Sequence, residues 1–138
     1  MKEKVLFVCI HNSARSQMAE EILRQMAHDR FEVESAGIEP GEINPLVVQV
    51  LKEFCIDISN KKTQFVSSLL ENKRIYNYVI TVCDEASAEK CPGFPSDAIR
   101  IHWSFEDPSK LQGSDQEKIK KIRMIHNQIY DRIKEWLV

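Results

Sequence analysis

The heptapeptide CIHNSAR places Cys9 and Arg15 with five residues between them. A thiol attacks as the thiolate, and it ionises most readily among cationic and hydrogen-donating groups. Arginine carries a permanent planar fork that matches two oxygens of a tetrahedral oxyanion. A loop that runs directly into a helix adds two further features. The first helical N–H groups lack intrahelical partners and carry partial positive charge. A turn of consecutive amides forms a concavity of the same sign. Ile10, His11, Asn12, Ser13, Ala14, Arg15 and Ser16 are therefore the candidate oxyanion-binding residues. Ser16 can donate a hydrogen bond to the Cys9 sulfur, and Asn12 can fix the loop by bonding its backbone. The chemistry suggested is attack by sulfur on a bound oxyanion. A lone Cys-x5-Arg would more simply be a structural cysteine beside a surface arginine. The apolar run before Cys9 and the helical run after Arg15 argue for the reactive reading. Neither G-x-x-x-x-G-K-[ST] nor G-x-G-x-x-G occurs, which excludes the phosphate loops of nucleotide and dinucleotide sites.

Three more positions carry chemistry. Asp107, in Glu106-Asp107-Pro108, can serve as a general acid or simply open a turn before proline. Cys83 closes the apolar run YNYVITV, and Cys91 follows in CDEASAEKCP. They are either unrelated thiols or a redox pair. A zinc site is the weaker reading, because paired zinc ligands sit about two to four residues apart, and no metal is expected. Cys55 falls in the apolar stripe at the end of a helical pattern and reads as core.

The elements that must position these groups alternate in type. Val5 to Cys9 is continuously apolar, as in a strand covered on both faces. Met18, Ile22 and Met26 then share one helical stripe, with Ala19 and Leu23 beside them. Phe31 to Ala36 reads as a strand that Gly37 breaks. Asn44-Pro45 starts a helix with Leu46, Val47, Val50, Leu51 and Phe54 inward. A polar loop from Lys61 to Asn72 holds a short helix around Leu69 and Leu70. Tyr76 to Val82 and Ala98 to Trp103 are further strands, and Ile119 to Leu137 mark a long amphipathic helix from about Asp115. Strands separated by helices imply a single α/β domain over residues 1–138, a three-layer sandwich with a four-stranded parallel sheet. Ligands of such sheets bind beyond the strands' carboxyl ends. Cys9, Cys83 and the segment after Trp103 all fall there.

Composition narrows the partners. With 138 residues, 43% hydrophobic and 29% charged, the chain is an ordinary globular sequence. A net charge of −2 and the lack of a basic run argue against nucleic acid. No apolar stretch suits a signal peptide or a membrane span, so a cytoplasmic monomer is expected, its four cysteines not in permanent disulfides.

CIHNSARS resembles the signature loop of the low-molecular-weight tyrosine phosphatase superfamily, and more narrowly that of the thioredoxin-coupled arsenate reductases sharing the fold. The resemblance extends from Val5 to the C-terminal helix. It includes Ser35 to Gly37, Asn44-Pro45, Ile56 to Ser59, the Cys83–Cys91 segment and His102 to Pro108. It departs at His11, where glycine is common and where a merely exposed side chain is expected, and at Ser109, where phosphatases place a tyrosine wall. The resemblance implies Cys9 as nucleophile, Arg15 on the oxyanion, and Asp107 as general acid. It implies that Cys83 and Cys91 pass a disulfide outward to thioredoxin, with no bound cofactor. Some members hold potassium through positions matching Asn12, Glu20 and Ser35 plus an acidic residue; that last position is Gln64 here, and the ion is not expected. The alternatives are a tyrosine phosphatase of the same fold and a non-catalytic oxyanion-binding or thiol-sensing module.

Overall fold

The computed structural model describes residues 2–39, 41–83 and 98–138. The apolar run at the start becomes β1 (Glu3–Cys9). Its Val5 and Phe7 point into one core, its Leu6 and Val8 into another, and none of the four is exposed. This is why the run is continuous rather than alternating: both faces of the strand are covered. β2 (Phe31–Gly37), β3 (Tyr78–Thr81) and β4 (Ile99–His102) complete a four-stranded sheet in the order β2-β1-β3-β4, with every neighbour parallel. The expected α/β architecture is therefore present, with helices on both faces.

α1 (Arg15–Ala27), α2 (Pro45–Glu53) and the long α4 (Asp115–Leu137) enclose the larger core against Val5, Phe7 and Ile80. The short α3 (Val66–Glu71) covers Leu6, Val8 and Val79 on the opposite face. Local signals fix the helix starts. Asn44 Oδ1 accepts from the Leu46 amide at 2.9 Å, with Pro45 at the first helical position. Ser114 caps α4 by accepting from the Glu117 amide at 3.2 Å. Along α4, Ile119, Ile122, Ile125, Ile129 and Ile133 are buried in one stripe.

Three expectations need correction. Cys55 is not core but exposed. It sits just past α2 with φ of 63°, where glycine usually ends a helix, and its amide donates back to Lys52 at 3.0 Å. That geometry turns its side chain outward. Phe54 is likewise partly exposed, its ring stacked on His126 at 3.9 Å between centroids. Gly37 does not break β2 but is its last residue, paired with Cys9. A Cβ there would lie 2.7 Å from the backbone of both His11 and Asn12, so only glycine lets the Cys9 loop cross the end of β2.

Candidate active site

The parallel register sets the site. Val8 pairs with Thr81, and Thr81 with His102, so β1, β3 and β4 end at one edge of the sheet. Cys9 is the last residue of β1, Cys83 lies just beyond β3 with no exposed surface, and the Asp107 segment follows β4. Cys91 lies outside the described residues.

After Cys9 the chain turns tightly, with Asn12 in the left-handed region at φ 56°. The carbonyls of Cys9, Ile10 and Ser13 accept from the amides of Ile38, Glu39 and Asn44 at 3.1, 2.8 and 2.9 Å. A planar peptide directs its N–H opposite to its C=O. Tying these carbonyls outward therefore turns the amides of Ile10, His11 and Ala14 the other way. α1 begins directly after Ala14, no side chain caps it among the described residues, and Arg15, Ser16 and Gln17 of its first turn are all buried. A buried, uncapped helix start is suited to an oxyanion.

The Cys9 sulfur is 2.8 Å from Ser16 Oγ and accepts from the Asn12 amide at 3.2 Å. Asn12 Nδ2 donates to Ser16 Oγ at 2.8 Å, which leaves the Ser16 hydroxyl hydrogen for the sulfur. The expected Ser16 contact is thus present. Asn12 instead fixes the loop through a distant backbone group, accepting from the Gln64 amide at 3.0 Å. Arg15 is 4% exposed; its Nη1 donates to the Phe105 carbonyl at 3.1 Å and its Nη2 lies 3.5 Å from Asp107 Oδ2. Arginine and carboxylate, 92 positions apart in the chain, are one cluster.

Asp107 Oδ1 accepts from the Ser109 hydroxyl at 2.7 Å and the Ser109 amide at 2.9 Å. Partial burial pushes its carboxyl up. The two Ser109 bonds, then Arg15 and Lys110, outweigh that and hold it below the ordinary carboxylate range. Beside the loop opens a cleft of about 650 Å³, lined among others by His11, Ser13, Leu46, Pro108 and Ser109. No Phe, Tyr or Trp lines it among the described residues. His11 is half-buried at its rim rather than fully exposed.

Two groups under the loop were not singled out by sequence reasoning. Gln17 lies wholly buried against Asn12. Lys61 donates to Glu20 Oε2, which also accepts from Arg24 at 2.6 Å; Ser35 Oγ donates to Glu20 Oε1 at 2.6 Å. Gln64 Nε2 donates to the Ser35 carbonyl at 2.9 Å. The donor set matching the potassium ligands is thus paired internally, and its only carboxylate already faces two cations. It does not fit a bound potassium ion. The clue available in sequence was a glutamate on the same helical run with a basic residue four positions on, Glu20 and Arg24.

Comparison with known proteins bears on this constellation. A relative named arsenate reductase from Bacillus subtilis (strain 168) is 40% identical over 137 residues, covering 99% of this chain and 96% of its own. A solved arsenate reductase in the phosphate binding state superposes with a TM-score of 0.77 at 28% identity, over 99% of this chain and 96% of that one. A thioredoxin-dependent arsenate reductase from Corynebacterium glutamicum gives a TM-score of 0.66 at 31% identity, over 96% of this chain and 62% of that one. The family model described as low molecular weight phosphotyrosine protein phosphatase matches residues 4–137. The chain belongs to the low molecular weight phosphotyrosine protein phosphatase family.

Proposed function

We propose that this protein is an arsenate reductase that turns oxyanion attack into disulfide chemistry and is recycled by thioredoxin. The observation that carries this reading is the placement of a second buried cysteine, Cys83, just past the strand paired with the one that ends in Cys9. Hydrolysis of a phosphate ester needs no such residue. Reduction of arsenate needs two electrons, and two thiolates supply them. The similarity to arsenate reductases supports the same reading.

In the first step the Cys9 thiolate attacks arsenic, a sulfur–arsenic bond forms, and an oxygen leaves as water with a proton from Asp107. Arg15 and the loop amides hold the remaining oxygens. Cys83 then attacks the Cys9 sulfur. A Cys9–Cys83 disulfide forms, the sulfur–arsenic electron pair passes to arsenic, and arsenite departs. Cys91 attacks Cys83, releasing Cys9 as thiolate and moving the disulfide to Cys83–Cys91. A dithiol of the thioredoxin class reduces it by thiolate exchange. The lack of an aromatic wall among the described residues of the cleft, with Ser109 where the phosphatases place a tyrosine, favours a small inorganic substrate over an aryl ester.

The test is arsenate-dependent NADPH oxidation with thioredoxin and its reductase. Turnover that stops when arsenate or thioredoxin is omitted supports the proposal. Background rates from the folded protein, with aryl phosphate hydrolysis persisting in Cys83→Ala, would make it a phosphatase. A separate check uses Cys91→Ser. After one equivalent of arsenate this variant is expected to accumulate the Cys9–Cys83 bridge, seen as a linked peptide pair by mass spectrometry. Free thiols at both positions would remove Cys83 from the pathway.

Asp107 makes the rate sensitive to pH. As an acid it must be protonated when the oxygen leaves. A bound oxyanion beside it favours that form, so kcat falls as pH rises through its ionisation in the complex. Ser109→Ala removes one of the hydrogen bonds that favour the carboxylate. The falling limb of kcat should therefore move to higher pH, with little change in KM. An unmoved limb would separate Asp107 from the rate-limiting proton transfer.

A further inference from the structure

Gln17 follows the loop on the first turn of α1 and is wholly buried. Its two ends are treated differently. Nε2 donates to both the Asn12 carbonyl and Asn12 Oδ1, at 3.1 and 3.0 Å. Oε1 is buried and has no hydrogen-bond partner among the described residues. An orphaned buried acceptor is costly, and an apolar side chain of equal size would avoid it. What glutamine supplies, and such a side chain cannot, is the donor pair on Asn12.

Asn12 is a residue that needs holding. At φ 56° it occupies a region that asparagine tolerates but does not prefer. Its amide donates to the Cys9 sulfur. Neighbouring carbonyls at Cys9, Ile10 and Ser13 are tied by backbone amides, whereas the Asn12 carbonyl is tied by the Gln17 side chain. Fixing that carbonyl turns the Ser13 N–H to the opposite side of the peptide plane.

We infer that Gln17 is a positioning residue for the oxyanion loop: its amide holds Asn12 left-handed, keeps the Asn12 N–H on the Cys9 sulfur and leaves the Ser13 N–H for the bound oxyanion. The inference deepens the proposed function, because it rests on Cys9 and its loop as the oxyanion site.

Gln17→Met removes both amide ends at similar volume. Its thermal midpoint should stay close to wild type, since the orphaned acceptor is lost together with the donor. Affinity for inorganic phosphate, measured by calorimetry, should fall about tenfold, the worth of one well-placed hydrogen bond. Iodoacetamide labelling of Cys9 at neutral pH, resolved from Cys55 by mass spectrometry, should slow comparably. Gln17→Asn, which keeps the amide but is one methylene too short, should behave the same way and decides the matter if the methionine variant does not fold. Ile133→Ala, a core change on α4, serves as the stability control and should leave phosphate affinity unchanged.

Wild-type phosphate binding and labelling in both Gln17 variants would overturn the inference. So would an equal loss of affinity in Ile133→Ala, or failure of both Gln17 variants to fold, since either makes Gln17 merely structural. A wild-type protein that binds no phosphate, with Cys9 no more reactive than Cys55, would instead overturn the oxyanion site itself.

Discussion

Serine in place of Cys9 is expected to leave a folded protein that still binds phosphate and reduces no arsenate. Cys9 is 2% exposed and its sulfur is held by Ser16 and the Asn12 amide, so a slightly smaller oxygen fits without disturbing the loop. A hydroxyl in the same field stays protonated at neutral pH, and it can neither form the sulfur–arsenic bond nor donate electrons by becoming a disulfide. The loss should be at least about 10⁴-fold in kcat, the scale seen when an enzyme nucleophile is deleted. The coupled NADPH assay reads kcat, and calorimetry with phosphate reads the binding that should survive. Residual turnover of more than about 1% would exceed what loss of a nucleophile allows and would place the reacting thiol elsewhere.

Arg15→Lys should lower kcat/KM by about 10²–10³-fold although the charge is kept. Three tasks fall on one guanidinium. It faces the oxyanion loop from the first turn of α1, donates to the Phe105 carbonyl, and stands beside Asp107. A planar fork can hold the segment carrying the acid and still present N–H groups to the substrate. A lysine ammonium is a single point on a flexible stem and cannot span both. Both parameters should therefore suffer: KM through the weakened clamp on the oxyanion, kcat through an acid no longer held in place. Steady-state kinetics at several arsenate concentrations separate the two. A variant losing less than about tenfold would show charge alone to suffice, a result that fork geometry does not allow.

The Cys9 loop was readable in the sequence because its parts are contiguous. Cys9, Asn12, Arg15 and Ser16 announce themselves by type and spacing, and the strand before and the helix after follow from simple periodicity. What the sequence withheld is contact between distant segments. Lys61 reads as one more charge in a polar loop, yet it reaches back 41 residues to the buried Glu20. Gln17 reads as a polar position near a helix start, where exposure is the ordinary expectation. It is buried because the whole first turn of α1 lies beneath the loop. Cys55 misled for a local reason: an apolar stripe was carried past the residue where the backbone turns left-handed. Gly37 misled because glycine weakens a strand by propensity, while here the crossing loop demands the missing Cβ.

The pairing beneath the loop bears on how the protein relates to its surroundings. Glu20 is neutralised by the side chains of Lys61 and Arg24, and through Ser35 and Gln64 the same network reaches Asn12. The countercharge is thus covalently attached, and no mobile ion has to be recruited from solution. A largely buried carboxylate is also only weakly screened by dissolved salt. The shape of the sulfur's seat is therefore expected to depend little on which cation the medium supplies.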